Sequence, residues 1–291
     1  MKPLNLIFDM ETGDPDDALT LCFLVNHPWV NLHAVTVTPG TDEQIGLVRH
    51  ILNETGIDIP VGSYRIGYDK KCVSKYYYKW LGNFESAQPD DEGYAIILNT
   101  LKEYPDTTLL TGAPLKNLTD IAETVKIKEW VAQGGFAGDN VVPVEYRLPK
   151  FEGRVTCPTF NFNGAPKTAL ALLASQHIKS KYLVSKNVCH GVVYDKGMHE
   201  RFAEYRHQSA GMNLMYRGME TYLNKKPDGK KFHDPLALAV AIDKSVCEFA
   251  EVELFRQRGE WGSNLKANTN TFISIRANVD KMIGALVGIS D

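Results

Sequence analysis

The chain has 291 residues, 44% hydrophobic and 23% charged, enough to bury a substantial core without disulfides or a structural metal. Its 32 basic and 35 acidic residues are well mixed and leave a net charge of −3, which excludes the strong basic footprint of a nucleic-acid binder. Five widely spaced cysteines (Cys22, Cys72, Cys157, Cys189 and Cys247) form no CxxC pair, which argues against a disulfide framework or zinc knuckle and for thiols in a reducing compartment.

Met1 to Asn5 lacks the apolar core of a signal peptide, and no stretch approaches the roughly 18 apolar residues of a membrane span, so a cytoplasmic protein with no membrane partner is expected. Leu4 to Phe8 predicts a short buried strand. Asp16 to Asn26 predicts a helix, with Ala18, Leu19, Leu21, Cys22 and Val25 on its apolar side and Pro28 as its stop. Leu32 to Thr38, rich in β-branched residues, predicts a second strand, and Asp42 to Glu54 a helix ended at Gly56. Ile59 to Val61 reads as a third strand, Asp91 to Tyr104 as a helix and Thr107 to Leu110 as a strand. Pro114 to Thr124 is expected to be helical, with proline in its first turn. Lys128 to Ala132 predicts a strand ended by Gly134-Gly135, Ala165 to Gln176 a helix and Lys181 to Val184 a strand.

This β-α alternation predicts an α/β protein of one domain, residues 1–291, with a mostly parallel open sheet and helices on both faces, Rossmann-like in plan. Ligands of such sheets sit beyond the carboxyl ends of the strands. Two segments interrupt the pattern, near 64–90 (with Tyr76-Tyr77-Tyr78 and Trp80) and near 203–233, and are expected to be insertions that act as lids or binding loops. Within the second, Lys225-Lys226 and Lys230-Lys231 are broken up by Asp228 and Asp234 and read as a solvated loop.

The chemistry concentrates where the first strand ends. Asp9, Glu11, Asp14, Asp16 and Asp17 crowd one turn. Hard cations such as Ca²⁺ and Mg²⁺ take several oxygen ligands, mostly carboxylates. Five acids packed together without a cation would repel one another. A helix cap would explain one of them, not five. Three later segments are ambiguous alone. Phe232-His233-Asp234-Pro235 opens a helix, Thr111-Gly112-Ala113-Pro114 marks a close backbone approach, and Gly134-Gly135 to Asn140 with Thr159-Phe160-Asn161 suits either turns or hydroxyl recognition.

Taken in order, these segments resemble the inosine-uridine-preferring nucleoside hydrolase family over nearly the whole chain. The family's Asp-x-Asp-x-Gly-x-Asp-Asp-Ala opening is similar to Asp9-Met10-Glu11-Thr12-Gly13-Asp14-Pro15-Asp16-Asp17-Ala18. Its Thr-Gly-Pro-Leu-Thr-Asn turn resembles Thr111 to Asn117, its Gly-Gly segment with an Asn resembles Gly134, Gly135 and Asn140, and its Phe-Asn pair before a proline-led helix resembles Phe160-Asn161 and Pro166. The late His-Asp-Pro is present as His233-Asp234-Pro235, and Asn278-Val279-Asp280 resembles the closing turn. The resemblance implies the nucleoside hydrolase fold and hydrolysis of a ribonucleoside N-glycosidic bond to ribose and free base in purine or pyrimidine salvage. It also implies one Ca²⁺ and assembly into homodimers or homotetramers. It further implies that Glu11, Asp17, Asp234 and the Thr111 carbonyl hold the cation, and that Asp16 and Asn161 bind the ribose 2′ and 3′ hydroxyls. Asn140 and the Thr159 position would face the 5′ end, Glu11 would be the general base, and His233 would help protonate the departing base. An aromatic wall for the base is expected from Tyr76 to Trp80 (Tyr78 and Trp80 above all), with Tyr216 or Tyr222.

Three positions depart from the family pattern. The second acid of the opening is Glu11 rather than Asp, with one residue inserted before the Asp pair. Thr159 stands where the family usually has a Glu that binds the 5′ hydroxyl, which weakens recognition of a free hydroxyl and makes room for a 5′-substituted or phosphorylated ligand. Gly40-Thr41 stands where Gly-Asn is usual. These departures keep open a ribosyl-ligand-binding protein of the same fold that does not turn its ligand over. A third alternative is a haloacid-dehalogenase-like phosphatase, to whose Asp-x-Asp-x-Thr opening Asp9 to Gly13 bears a superficial likeness.

Overall fold

A computed structural model describes residues 3–289. Its strands are β1 (Leu4–Met10), β2 (Val30–Val37), β3 (Val61–Ser63), β4 (Asp91–Glu92), β5 (Thr108–Thr111), β6 (Ile127–Gln133), β7 (Thr156–Cys157), β8 (Ile178–Val184), β9 (Val193–Tyr194), β10 (Lys230–Lys231), β11 (Cys247–Gln257), β12 (Glu260–Leu265) and β13 (Thr271–Ala277). Eleven of them form one sheet in the order β4-β3-β2-β1-β5-β6-β8-β13-β11-β12-β7. From β4 to β13 every neighbouring pair is parallel, while β11, β12 and β7 join antiparallel at one edge. The chain winds outward from β1 through β2, β3 and β4, then returns to the other side of β1 with β5. That reversal makes the crevice beyond the carboxyl ends of β1 and β5 the switch point where ligands bind in open α/β sheets.

β1 explains why this strand anchors the fold. Leu6, Phe8 and Met10 belong to the core on one face, and Ile7 to the core on the other. A strand buried on both faces reads as the continuous apolar run seen in the sequence. Helix α1 (Asp16–Leu24) has all nine residues buried and packs against α9 (Ala210–Leu223) and α10 (His233–Ile242). A helix apolar on every side belongs inside, which is why neither α1 nor α10 shows a clean amphipathic stripe. The remaining helices are α2 (Asp42–Glu54), α3 (Lys75–Leu81), α4 (Gly93–Glu103), α5 (Phe160–Gly164), α6 (Pro166–Ala174), α7 (Lys186–Cys189), α8 (Lys196–Phe202) and α11 (Val279–Val287).

The parallel sheet agrees with the sequence reading, but four local expectations change. The helix expected over Pro114 to Thr124 is only a short 3₁₀ turn, Leu115–Leu118, because the side chain of Asn117 turns inward to donate to Asp9 Oδ1 (2.7 Å) and Thr38 Oγ1 (3.2 Å). The third strand runs over Val61–Ser63, not Ile59 to Val61, and Asp91 and Glu92 form an edge strand before α4 begins. The antiparallel edge of β11, β13 and β12 escaped the sequence reading, since its half-exposed strands lack a continuous apolar run. Segment 203–233 contains the helix α9 and the short strand β10, and segment 64–90 contains α3.

Gln44 ties the turn after β2 to the turn after β1. Its side-chain oxygen accepts from the N–H of Gly40 and of Thr41 (3.0 Å each), and its amide donates to Thr12 Oγ1 at 2.8 Å. Thr41 completes a capping box by accepting from Gln44 N. Gln44→Leu strands two buried N–H groups and is expected to cost about 2–4 kcal/mol in urea unfolding, against about 1 kcal/mol for Thr41→Ala.

Candidate active site

The parallel register sets Asp9 opposite Thr111, and the Gly112 N–H donates to the Asp9 carbonyl at 2.8 Å, so the turns after β1 and β5 touch. The Thr111 hydroxyl accepts from Trp130 Nε1 at 3.0 Å, which fixes the end of β5. α1 starts at this crevice with Asp16 and Asp17 in its first turn, and α10 brings His233 and Asp234 to the same place from more than two hundred residues away. Asp16 Oδ2 accepts from the backbone N–H of His233 (3.2 Å) and Asp234 (3.4 Å), a carboxylate at the positive end of α10.

Asp16, Asp17 and Asp234 are buried, and each offers a carboxylate oxygen within 4.8 Å of the others. Asp234 Oδ1 is buried without a hydrogen-bond partner. A Cβ at Gly112 would lie 2.7 Å from Asp234 Oδ1 and 2.8 Å from Asp17 Oδ1, so the two acids converge on a gap that only glycine leaves open. Three converging carboxylates, an orphaned oxygen and an all-oxygen donor set fit a hard divalent cation. Glu11 contributes its position more than its carboxylate. Its backbone N–H donates to Asp17 Oδ1 (3.1 Å), while its carboxylate turns back to accept from Gly13 N and Asp14 N.

The electrostatics follow from burial. Desolvation, reinforced by neighbouring acids, pushes Asp17 and Asp234 well above the usual carboxylate range. Burial raises Glu11 as well, and lifts Asp9 to about 7 although Asn117 and Thr36 donate to it. Asp16 goes the other way. Burial, the largest single effect, would raise it, but Lys230, His233 and Asp234 together hold it below the ordinary value. Lys230 Nζ lies 3.2 Å from Asp16 Oδ1 and 3.0 Å from Asp14 Oδ1, and the lysine is only 4% exposed. The solvated-loop expectation for Lys230-Lys231 is therefore corrected. β10 pairs with β9 and carries Lys230 inward, where the acids replace the water that its ammonium gives up. His233 is also displaced. Burial brings it down to about 4, and its Nδ1 stands 3.8 Å from Asp16 Oδ2.

Asn161 joins the site. Its amide donates to the carbonyls of Gly112 (2.7 Å) and Gln133 (3.1 Å), and to Gln133 Oε1 (2.8 Å). Thr159 is buried with its hydroxyl unpartnered. Asn140 is instead tied to β12, donating to Ser263 O at 2.6 Å and Asn264 Oδ1 at 3.3 Å. The expected aromatic wall is largely spent on packing. Trp80 is buried with Nε1 donating to Leu214 O, Tyr78 donates to Glu43 and stacks on Phe84, and Tyr222 meets Tyr76 edge-on. A cavity of about 310 Å³ beside Glu11 is lined by other aromatics, namely Tyr64, Tyr68 and the exposed Phe160. Sequence reasoning missed them because Tyr64 and Tyr68 are scattered through a polar loop. Phe160 was noticed only as part of a motif.

Fold and site together define an α/β protein with a carboxylate-rich ligand site at the switch point of its sheet. The chain belongs to the inosine-uridine preferring nucleoside hydrolase family, whose model matches residues 6–283. An uncharacterized protein of Aquifex aeolicus (strain VF5) is 29% identical over 283 residues, 94% of each chain. The fold is shared with a plant nucleoside hydrolase (TM-score 0.72, 18% identity, 98% of both chains). It is also shared with a purine-preferring ribonucleoside hydrolase from Gardnerella vaginalis (TM-score 0.68, 18% identity, 97% of this chain and 96% of that one). Membership of this enzyme family leaves the phosphatase alternative without support.

Metal-free and folded, the raised acids make their contribution to stability below about pH 4 and lose it as pH rises through about 7, the value reached by Asp9. Cation binding displaces those protons. Added Ca²⁺ is therefore expected to raise the melting temperature strongly at pH 8 and hardly at all at pH 4.5, as read by calorimetric scans. Asp234→Asn should abolish the difference.

Proposed function

We propose that the protein hydrolyses the N-glycosidic bond of a ribosyl compound of the ribonucleoside class to a free base and the ribose product, with Ca²⁺ as its resident cation. The observation that carries this reading is the convergence of Asp16, Asp17 and Asp234 on the gap at Gly112, in a chain of this family. Asp17, Asp234, the Thr111 carbonyl and Glu11 would hold the cation, which when bound lowers the pKa of water and supplies positive charge to the site.

The protein's own groups account for the rest. Glu11, raised by burial, is a stronger proton acceptor than a free carboxylate and would serve as the general base once its carboxylate turns from Gly13 N and Asp14 N toward the cation. Asp16 and Asn161 flank the same gap and bind the ribose 2′ and 3′ hydroxyls, for which Asp16 must share its oxygens with Lys230. An oxocarbenium-like ribosyl centre is favoured by the negative charge gathered beneath it. His233, neutral at pH 7 with Nε2 buried and unpartnered, would hydrogen-bond the departing base. Tyr64, Tyr68 and Phe160 supply an apolar wall for that base. The five free cysteines, four of them buried, suit a cytoplasmic setting, and a homodimer or homotetramer is the assembly expected in sedimentation.

A panel of nucleosides and nucleotides incubated with Ca²⁺ is expected to release free base, and a chelator should stop it. Asp17→Asn should lower kcat/KM at least 100-fold, and His233→Ala by about 10²–10⁴ through kcat. No base release from any compound would remove this reading. Lys230 on Asp16 is the observation that favours a second one, a ribosyl-binding protein without turnover. Calorimetric binding of ribose with no hydrolysis would select it.

A further inference from the structure

Three lysines gather on the rim above His233. Lys150 Nζ lies 3.1 Å from His190 Nδ1, and the His190 ring stacks on His233 with centroids 5.2 Å apart. Lys186 Nζ donates to the Pro158 carbonyl at 2.8 Å, directly before Thr159. Lys231 follows the buried Lys230 in β10 and pairs with Val193 of β9, three residues beyond His190. Among the described residues, none of Lys150, Lys186 and Lys231 has a carboxylate within 4.0 Å, and Asp14 and Asp16 below are already engaged with Lys230.

Like charges converging without a counter-ion are unfavourable unless an anion completes the site. Desolvation, the two other lysines and His233 all bear on this group. Desolvation and the other two lysines lower Lys150 from its usual value, while desolvation, His233 and the three lysines bring His190 down to about 3. Thr159 adds a second, independent observation. It is 4% exposed, its hydroxyl has no partner, and it does not cap α5. A phosphate oxygen accepts readily from a hydroxyl and from ammonium groups. A carboxylate at 159 would repel that phosphate.

We propose that Lys150, Lys186 and Lys231, with the Thr159 hydroxyl, form a subsite for the 5′-phosphate of the substrate, so that the compound hydrolysed is a nucleoside 5′-monophosphate. This rests on the N-ribohydrolase reading above. The N-glycosidic bond breaks, water supplies the hydroxyl at C1′ and a proton to the base, and the products are free base and ribose 5-phosphate. The phosphate ester itself stays intact and serves as a handle.

The test has a binding arm and a turnover arm, both on the full chain with Ca²⁺. In calorimetry, ribose 5-phosphate is expected to bind at least tenfold more tightly than ribose, and more tightly than inorganic phosphate. In turnover, kcat/KM for a nucleoside 5′-monophosphate should exceed that for its nucleoside at least tenfold. Lys150→Gln combined with Lys186→Gln should collapse that ratio toward one, mainly through KM, while Arg65→Gln with Lys70→Gln, in the cavity beside Glu11, should not. Thr159→Glu should invert the preference. Tight ribose 5-phosphate binding without base release from any compound would retain the subsite and remove the hydrolase reading. Base release from nucleosides with no phosphate preference would overturn the subsite and keep the hydrolase. A preference carried by Arg65 and Lys70 would also overturn it, as would inorganic phosphate binding as tightly as ribose 5-phosphate.

Discussion

Burying several carboxylates around one point is unfavourable, and the rest of this structure is arranged to make it tolerable. Asp9, Asp16, Asp17 and Asp234 all lie within the protein where β1, β5, α1 and α10 end or begin. Asp16 is the one acid held fully charged, by the Lys230 ammonium and two backbone N–H groups at the start of α10. Asp17 accepts only the Glu11 N–H and neither it nor Asp234 has an ammonium partner, so both stay raised. Gly112 has to be glycine for the same reason, since any side chain would fill the space the two acids share.

The same constraint divides the site into two ends with different chemistry. At the floor, negative charge exceeds the one buried ammonium, which suits a hard cation and a developing positive ribosyl centre. At the rim, Lys150, Lys186 and Lys231 face the opposite imbalance. A ligand that is cationic at its reacting carbon and anionic at its far end would satisfy both at once. The floor is set where β1, β5, α1 and α10 meet, whereas the rim is built from Thr159 and lysines of three separate segments.

Much of the floor was legible in the sequence. The run from Asp9 to Ala18 announced itself because five acids directly after an apolar strand have few structural explanations. The order of the later motifs then supplied Asp234 and Asn161. Roles were less legible than membership. Asn140, read for the 5′ end, spends its amide on β12, and Tyr78 and Trp80 spend their polar atoms on Glu43 and on the backbone of α9. Lys230 was dismissed as loop charge because its sequence neighbours are polar and a two-residue strand leaves no periodicity to read.

The sequence by itself determined the alternation of strands and helices, the strand that would be buried on both faces, and the class of site at its end. Those properties depend on local composition and on spacing within a few residues. Tertiary structure alone decided which charges meet. It put Lys230 on Asp16 across more than two hundred residues, turned the Glu11 carboxylate back onto its own loop, and set Lys186 on the Pro158 carbonyl next to Thr159 and Lys150 on His190. Whether a buried charge is held ionised, displaced in pKa or left waiting for a ligand depends on neighbours a few ångströms away in space, and chain order does not specify them.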